Sequence, residues 1–365
     1  MTSTKTFDEQ APLLDVRSLS VSFETPRGHV TAVDDVSLRL DSGAMVCIVG
    51  ESGAGKSVLA RSIMRLTPKF GVATTGQVFV GGVELSALSE RQMRDHWGPT
   101  VSMVFQDPMT ALNPVMKVGD QIEEGMRVHG SMSRQERRAE TVRLLRTVGI
   151  PEPDTRRKQY PHQLSGGMRQ RVMIAIAMAQ NPMLLMADEP TTALDVTIQA
   201  QVMELLKREQ ERRKMGVVLV THDLGVAQAY AHRIVVMYAG QIVETATTGQ
   251  LFAATRSPYT LALRSSIPRL EDEPHQLLAA IPGRQPNLTD LPKGCRFAPR
   301  CRFAQETCLE DPVPLVEDAQ DPGHYVRCRY PAGTPAGDAA LERNLSRGVT
   351  ATGLPVTRVD GEVLA

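Results

Sequence analysis

Gly50-Glu51-Ser52-Gly53-Ala54-Gly55-Lys56-Ser57 is the stretch on which the fold of this chain turns. It fits the pattern G-x-x-x-x-G-K-[ST], and its setting is the one that pattern needs. The apolar run Ala44–Gly50 reads as a strand entering it, and residues 55–66 read as a helix leaving it. Glycines let such a loop curl so that backbone N–H groups point inward, and the helix N-terminus adds positive potential. In that reading Lys56 bridges two phosphates and the Ser57 hydroxyl reaches Mg²⁺. A chance glycine-rich turn would match the letters but not the strand before and the helix after.

A phosphate loop needs a carboxylate partner at the end of a second buried strand. Met183-Leu184-Leu185-Met186-Ala187-Asp188-Glu189 supplies it. Asp188 is expected to hold Mg²⁺ and Glu189 to polarise the attacking water. Val217–Asp223 is a second apolar strand, and residues 197–213, between the two, are compatible with a helix. Strands alternating with crossover helices indicate a parallel α/β sheet. These motifs alone establish a P-loop nucleotidase and leave open a kinase, a GTPase, a helicase or a transporter ATPase.

The bulk properties narrow the class. The chain has 365 residues with 41 Lys plus Arg and 41 Asp plus Glu, so its formal net charge is zero. A nucleic-acid binder carries a basic excess to meet phosphates, so no nucleic-acid partner is expected. The basic stretches Arg134–Arg138 and Arg208–Lys214 are interleaved with Glu and Gln and read as solvated helix faces. No apolar run reaches the ~18 residues that span a bilayer. The N-terminal MTSTKTFDEQ lacks the apolar core of a signal peptide. The expected location is therefore the cytoplasm, with any membrane role exercised through partners.

The rest of the chain divides by texture. Residues 14–49 read as strands with a Pro-Arg-Gly turn at 26–28, and residues 100–180 are mostly helical. Ser133–Gly149 is an amphipathic helix stopped by Gly149 and Pro151, and Ile234–Glu244 is a hairpin around Gly240. No internal repeat is present. After about residue 260 prolines recur, and Cys295, Cys301, Cys308 and Cys328 fall in the spacing C-x5-C-x6-C-x19-C. Four cysteines in a loop-rich cytosolic segment suit tetrahedral Zn²⁺ or a [4Fe–4S] cluster, with free thiols as the third possibility. A structural staple is the simplest role for a bound metal there. His324 could substitute for a ligand but lies outside the four-cysteine pattern, and Cys47, in the strand before the phosphate loop, reads as a small buried hydrophobe. The Gly-, Ala- and Thr-rich residues 333–365 read as a flexible tail.

Leu164-Ser165-Gly166-Gly167-Met168-Arg169-Gln170 resembles the signature of the ABC ATPases, with Met168 where the pattern ends in Gln. Other family motifs fall in order around it. Gln106 in Met103–Pro108 resembles the Q-loop glutamine, Ala193-Leu194-Asp195 the D-loop, and His222 the switch histidine. The resemblance spans about residues 13–260. It implies a P-loop NTPase (RecA-like) α/β core with an inserted ABC helical subdomain at about 107–180. It implies ATP and Mg²⁺ as ligands, with Gly50, Ser52, Gly53, Ala54, Gly55, Lys56, Ser57, Val58 and Gln106 on the nucleotide and Phe23 stacking on adenine. Ser57, Gln106 and Asp188 would hold Mg²⁺, and Glu189 and His222 would be catalytic. Ser165, Gly166, Gly167 and Met168 would cap the ATP of a partner subunit, with Asp195 beside them.

Three further stretches, Met103–Ile122, Tyr160–Arg171 and Ser257–Pro268, resemble the ATP-binding subunits of dipeptide and oligopeptide importers. That resemblance implies a C-terminal extension at 261–332 and makes the four cysteines candidates for an iron–sulfur cluster. It also implies the partners: a second, paralogous ATPase, two permease subunits at the cytoplasmic face of the cell membrane, and an extracytoplasmic substrate-binding protein. Nickel and other small-solute importers share much of the core and remain the alternative cargo. A soluble ABC ATPase acting on nucleic acid or ribosomes is a remoter one, disfavoured by balanced charge and by the absence of a second cassette or long coiled-coil insert. A non-catalytic regulatory subunit is disfavoured because Glu189 and His222 are both present.

Overall fold

The computed structural model describes residues 11–26, 28–130, 132–191, 195–266 and 281–357. Arg27 of the expected turn, Ala193 and Leu194 of the D-loop and the first part of the extension lie outside those residues.

Two sheets organise the chain. The smaller is antiparallel, in the order β2-β1-β4-β5, formed by β1 (Leu14–Thr25), β2 (Gly28–Leu40), β4 (Val72–Val80) and β5 (Val83–Glu84). The larger has eight strands in the order β11-β12-β10-β9-β3-β8-β7-β6. Its strands β9 (Arg233–Tyr238), β3 (Met45–Val49), β8 (Gly216–Val220), β7 (Leu184–Asp188) and β6 (Val101–Val104) run parallel. A parallel sheet is covered on both faces, which is why its strands read as unbroken apolar runs. On β3 the period of two divides the burial. Met45, Cys47 and Val49 face the core on the helical side, and Val46 and Ile48 face the core shared with the small sheet. Cys47 is fully buried, as a small hydrophobe should be.

The chain from 107 to 180 builds a helical layer from the helices Val118–His129, Arg134–Thr147 and Gly166–Met178. The second begins at a reciprocal capping box between Ser133 and Glu136. It stops before Gly149, whose φ of +74° only glycine adopts without cost. The three helices share one core through Ile122, Met126, Leu144, Leu145 and Val172.

The expected hairpin turns at Ala239-Gly240, with both residues at positive φ, and joins β9 to β10 (Gln241–Thr247). The extension adds two short strands beyond β10, β12 (Tyr325–Val326) and β11 (Val316–Glu317), so it covers the edge of the large sheet.

Over the described residues 333–357, the expectation of a flexible tail is corrected. Pro335–Arg347 is a helix with Thr334 as its N-cap and Gly348 closing it in the left-handed region. Ala340 and Asn344 lie on its buried face. The Asn344 amide donates to the carbonyls of Arg302 (2.8 Å) and Ala304 (3.1 Å), and its Oδ1 accepts from Gln305 (2.9 Å). Small residues that read as low complexity let this helix dock closely on the cysteine-bearing loops.

Candidate functional site

The phosphate loop leaves β3 and enters the helix Lys56–Ile63 with Gly50, Gly53 and Gly55 all at positive φ. At two of these positions the backbone has no room for a side chain. A Cβ on Gly50 would lie 2.2 Å from the Met237 carbonyl, and one on Gly55 would lie 2.2 Å from the Ala32 carbonyl. The hairpin turn braces the loop through a 3.0 Å bond from Gly240 N–H to the Ala54 carbonyl. Ala54 is buried, Ser52 is exposed, and Val58 packs on the core between the sheets.

Lys56 folds back into the loop. Its Nζ donates to the carbonyls of Gly50 (2.8 Å) and Glu51 (2.9 Å). Burial lowers its pKa, opposed by the carboxylates of Glu189, Asp188 and Glu51. Ser57 Oγ donates to Asp188 Oδ1 at 2.8 Å, so the end of β7 meets the start of the helix. Asp188 is fully buried and its Oδ2 has no hydrogen-bond partner. Desolvation raises its pKa. An orphaned carboxylate oxygen beside a serine hydroxyl is a donor set suited to a hard divalent cation.

Glu189 follows at φ +45°, an unusual value for a side chain of this size, with its N–H bonded to the Val220 carbonyl (2.9 Å). Its Oε2 accepts from Gln106 Nε2 at 3.1 Å and lies 3.5 Å from His222 Nδ1. Lys56, Ser57, Asp188, Glu189, Gln106 and His222 thus form one connected constellation at the C-terminal ends of parallel strands, where open α/β sheets place their ligands.

Two other expected groups stand apart from it. Ser165 caps the helix Gly166–Met178, its Oγ accepting from Met168 N–H at 3.3 Å. A Cβ on Gly166 would meet nothing within 4 Å, so that helix end faces open space. Asp195 caps the next helix, Val196–Arg213, by accepting from Ile198 N–H (2.9 Å). Ile198 in turn lies against Gly167. Phe23 is half-buried and packs on the core between the two sheets.

The four cysteines of the extension line one cavity of about 150 Å³. Burial raises the pKa of each thiol, most strongly for Cys301, which also feels Cys328, Cys295 and Cys308. The donor chemistry suits a soft metal or cluster. As the side chains stand, however, no group of three or more His, Cys, Asp or Glu among the described residues forms a ready metal site.

Sequence reasoning missed the groups that hold the phosphate loop from outside. Glu51 is gripped by Arg300, and its N–H donates to the Tyr259 hydroxyl (2.9 Å). Sequence reasoning considered His324 only as a substitute metal ligand, whereas the structure buries it between Glu244 and Asp321. The only local hint was the density of arginine around Cys295–Cys301.

Residues 33–192 match the ABC transporter family, and residues 243–308 match the family described as oligopeptide/dipeptide transporter, C-terminal region. The chain is 48% identical over 316 residues to the oligopeptide transport ATP-binding protein OppD of Bacillus subtilis (strain 168), covering 86% of this chain and 88% of that protein. The dimeric ATP-binding cassette MJ0796, in a post-hydrolysis state bound to ADP and Pi, superposes with a TM-score of 0.59 at 29% identity, covering 64% of this chain and 98% of that one. The cassette cbiO1 from Clostridium perfringens has a TM-score of 0.56 at 24% identity, covering 67% of this chain and 92% of that one, and shows the fold alone. No helix among the described residues is long and apolar enough to cross a membrane. The 48% identity to OppD over most of both chains, with the two family matches, shows that this chain belongs to the ABC transporter family, as an ATP-hydrolysing subunit that continues into the C-terminal region of the oligopeptide/dipeptide branch.

Proposed function

We propose that this chain energises the import of di- and oligopeptides by hydrolysing ATP at the cytoplasmic face of a cell membrane. The observation that carries the cargo is the joint match of the cassette and of residues 243–308 to oligopeptide/dipeptide transporters. The OppD similarity over most of both chains supports it. The family implies two permease subunits and a substrate-binding protein as partners.

Each residue then has a role. Gly50, Ser52, Gly53, Ala54 and Gly55 line the phosphates, Lys56 turns from the loop carbonyls onto the β- and γ-phosphates, and Phe23 stacks on adenine. Ser57, Asp188 and Gln106 would hold Mg²⁺, whose chemistry is to neutralise developing charge on the phosphates. Glu189 accepts the proton of the attacking water, and His222 steadies the γ-phosphate side. Ser165, Gly166, Gly167 and Met168, at a positively polarised helix end whose Ser165 and Gly166 are exposed, cap the ATP held by a second, paralogous ATPase. Asp195 adjoins that contact. The exposed apolar Met109 and Val115, just after Gln106, offer a surface for the permease.

We propose further that Cys295, Cys301, Cys308 and Cys328 hold a [4Fe–4S] cluster that staples the extension. Support comes from four thiols lining one cavity, although they do not form a ready site as they stand. Anaerobic purification with iron, sulfide and zinc analysis decides it. About four irons and four sulfides per chain, lost in Cys→Ser variants, is expected. Zinc or no metal overturns the cluster. The cargo is tested by uptake of a labelled tripeptide in cells lacking the gene and complemented with it. Restored peptide uptake is expected, and uptake of nickel alone would reassign the cargo.

A further inference from the structure

Glu51 is the second residue of the phosphate loop, and its carboxylate reaches into the extension. There Arg300 meets it in a fork, Nη1 to Oε2 at 2.7 Å and Nη2 to Oε1 at 3.0 Å. Arg300 is 5% exposed. Its remaining donors are also placed: Nε to the Pro282 carbonyl (2.8 Å), with the Tyr238 hydroxyl within 3.3 Å of Nη1. The guanidinium lies over the Tyr238 and Phe297 rings, which with Tyr259 make a three-ring cluster. Tyr259 completes the grip by accepting the Glu51 N–H.

This is more than a surface ion pair. A bidentate arginine–carboxylate pair fixes direction as well as distance, and a guanidinium with its donors saturated and its faces covered has little freedom to swing. The residue so fixed is the one whose carbonyl, with that of Gly50, receives the Lys56 ammonium. The path from Arg300 to the phosphate-binding lysine therefore runs through a single residue. A second contact from the extension reaches the same loop, where Gln285 Oε1 stands 3.3 Å from where a Gly53 Cβ would lie.

We infer that Arg300 is a positioning residue for ATP binding: acting through Glu51, the extension holds the phosphate loop in its nucleotide-receiving shape. The inference rests on the reading of Gly50–Ser57 as the ATP-phosphate cradle. Its consequence is that nucleotide affinity depends on the order of the segment Cys295–Cys301, which carries Arg300 between two of the four cavity thiols.

The test measures ATP affinity of the full chain and kcat and KM of the assembled transporter for Arg300→Met, Glu51→Gln, the double variant and Arg300→Lys. Residues in one hydrogen-bonded network couple strongly, so each single variant should weaken ATP binding and raise KM by about tenfold, with kcat at saturating ATP changed far less. The double variant should be no weaker than either single one, and Arg300→Lys should recover part of the affinity. Loss of thermal stability with unchanged affinity and KM, or additive effects in the double variant, overturns the positioning role. Lys56→Ala is the control that separates the two readings. If it abolishes ATP binding while Arg300→Met does not alter it, the cradle stands and the strap falls. If Lys56→Ala itself leaves binding unchanged, the cradle reading has failed.

Discussion

Replacing His324 by alanine should loosen the extension from the catalytic sheet. His324 and Glu244 are both fully buried, with Nε2 2.8 Å from Glu244 Oε1 and Nδ1 3.0 Å from Asp321 Oδ2. Both ring nitrogens face carboxylates, so the bound form is the imidazolium. Burial alone would lower its pKa, but the hydrogen bonds to Glu244 and Asp321 outweigh that and hold it above its ordinary value. Glu244 sits on β10 opposite Val326 of β12, so this pair fastens the strand by which the extension joins the sheet. Removing one partner of a buried pair leaves an uncompensated charge, at a cost of about 3–5 kcal/mol. One Glu244 oxygen already lacks a partner, which puts the expected cost in the upper half of that range. For a chain of 365 residues, at about 2.1 cal/mol/K of unfolding entropy per residue, the melting temperature should fall by roughly 6 °C. Calorimetry gives the melting temperature, and hydrogen exchange at Tyr325–Val326 shows where protection is lost. The pH dependence carries the sign. A raised folded-state pKa means the stabilisation is fully present below the ordinary histidine value of about 6.5 and fades as pH rises through the folded-state value. The native chain should therefore lose stability as pH rises above about 6.5, and His324→Ala should lack that decline. A variant that melts within about 1 °C of the native chain, or that keeps the same alkaline decline, refutes the pair as a fastening.

Lys56→Ala should weaken ATP binding by at least about a hundredfold, since a buried charge-assisted contact to phosphate is removed; equilibrium binding of a fluorescent ATP analogue measures it. Gly55→Ala should abolish nucleotide binding by displacing the loop. Its φ of +97° costs an L-residue about 1–2 kcal/mol before the 2.2 Å approach to the Ala32 carbonyl is counted. Binding titration together with circular dichroism separates loss of the loop from loss of the fold. Asn344→Ala should destabilise the chain by about 1–3 kcal/mol, because the buried Arg302 carbonyl it serves is left unsatisfied. Chemical denaturation reads that change.

The cassette was legible in the sequence because its chemistry is written in contiguous words. Gly50–Ser57, Met183–Glu189 and Leu164–Gln170 each carry their spacing within one short contiguous stretch, and local geometry follows from that spacing. What holds the loop from outside was not legible. Glu51 and Arg300 are 249 positions apart, and neither periodicity nor composition brings such residues together. The helix Pro335–Arg347 was hidden for a different reason. Its docking face uses Ala340 and the polar Asn344, so no apolar stripe marks it, and only the Thr334-Pro335 start has the look of a helix entrance. Phe23 shows the limit of a motif position, because the core between the sheets also uses that ring.

The central claim is that Glu189 acts on water at an ATP held by Lys56, Ser57 and Asp188. It is tested most directly by substituting Glu189→Gln in the assembled transporter and measuring ATP affinity and steady-state phosphate release on the same preparation. The account predicts native ATP affinity with phosphate release reduced by about a thousandfold, because the proton acceptor is gone while the phosphate cradle is intact. Phosphate release at the native rate would contradict it.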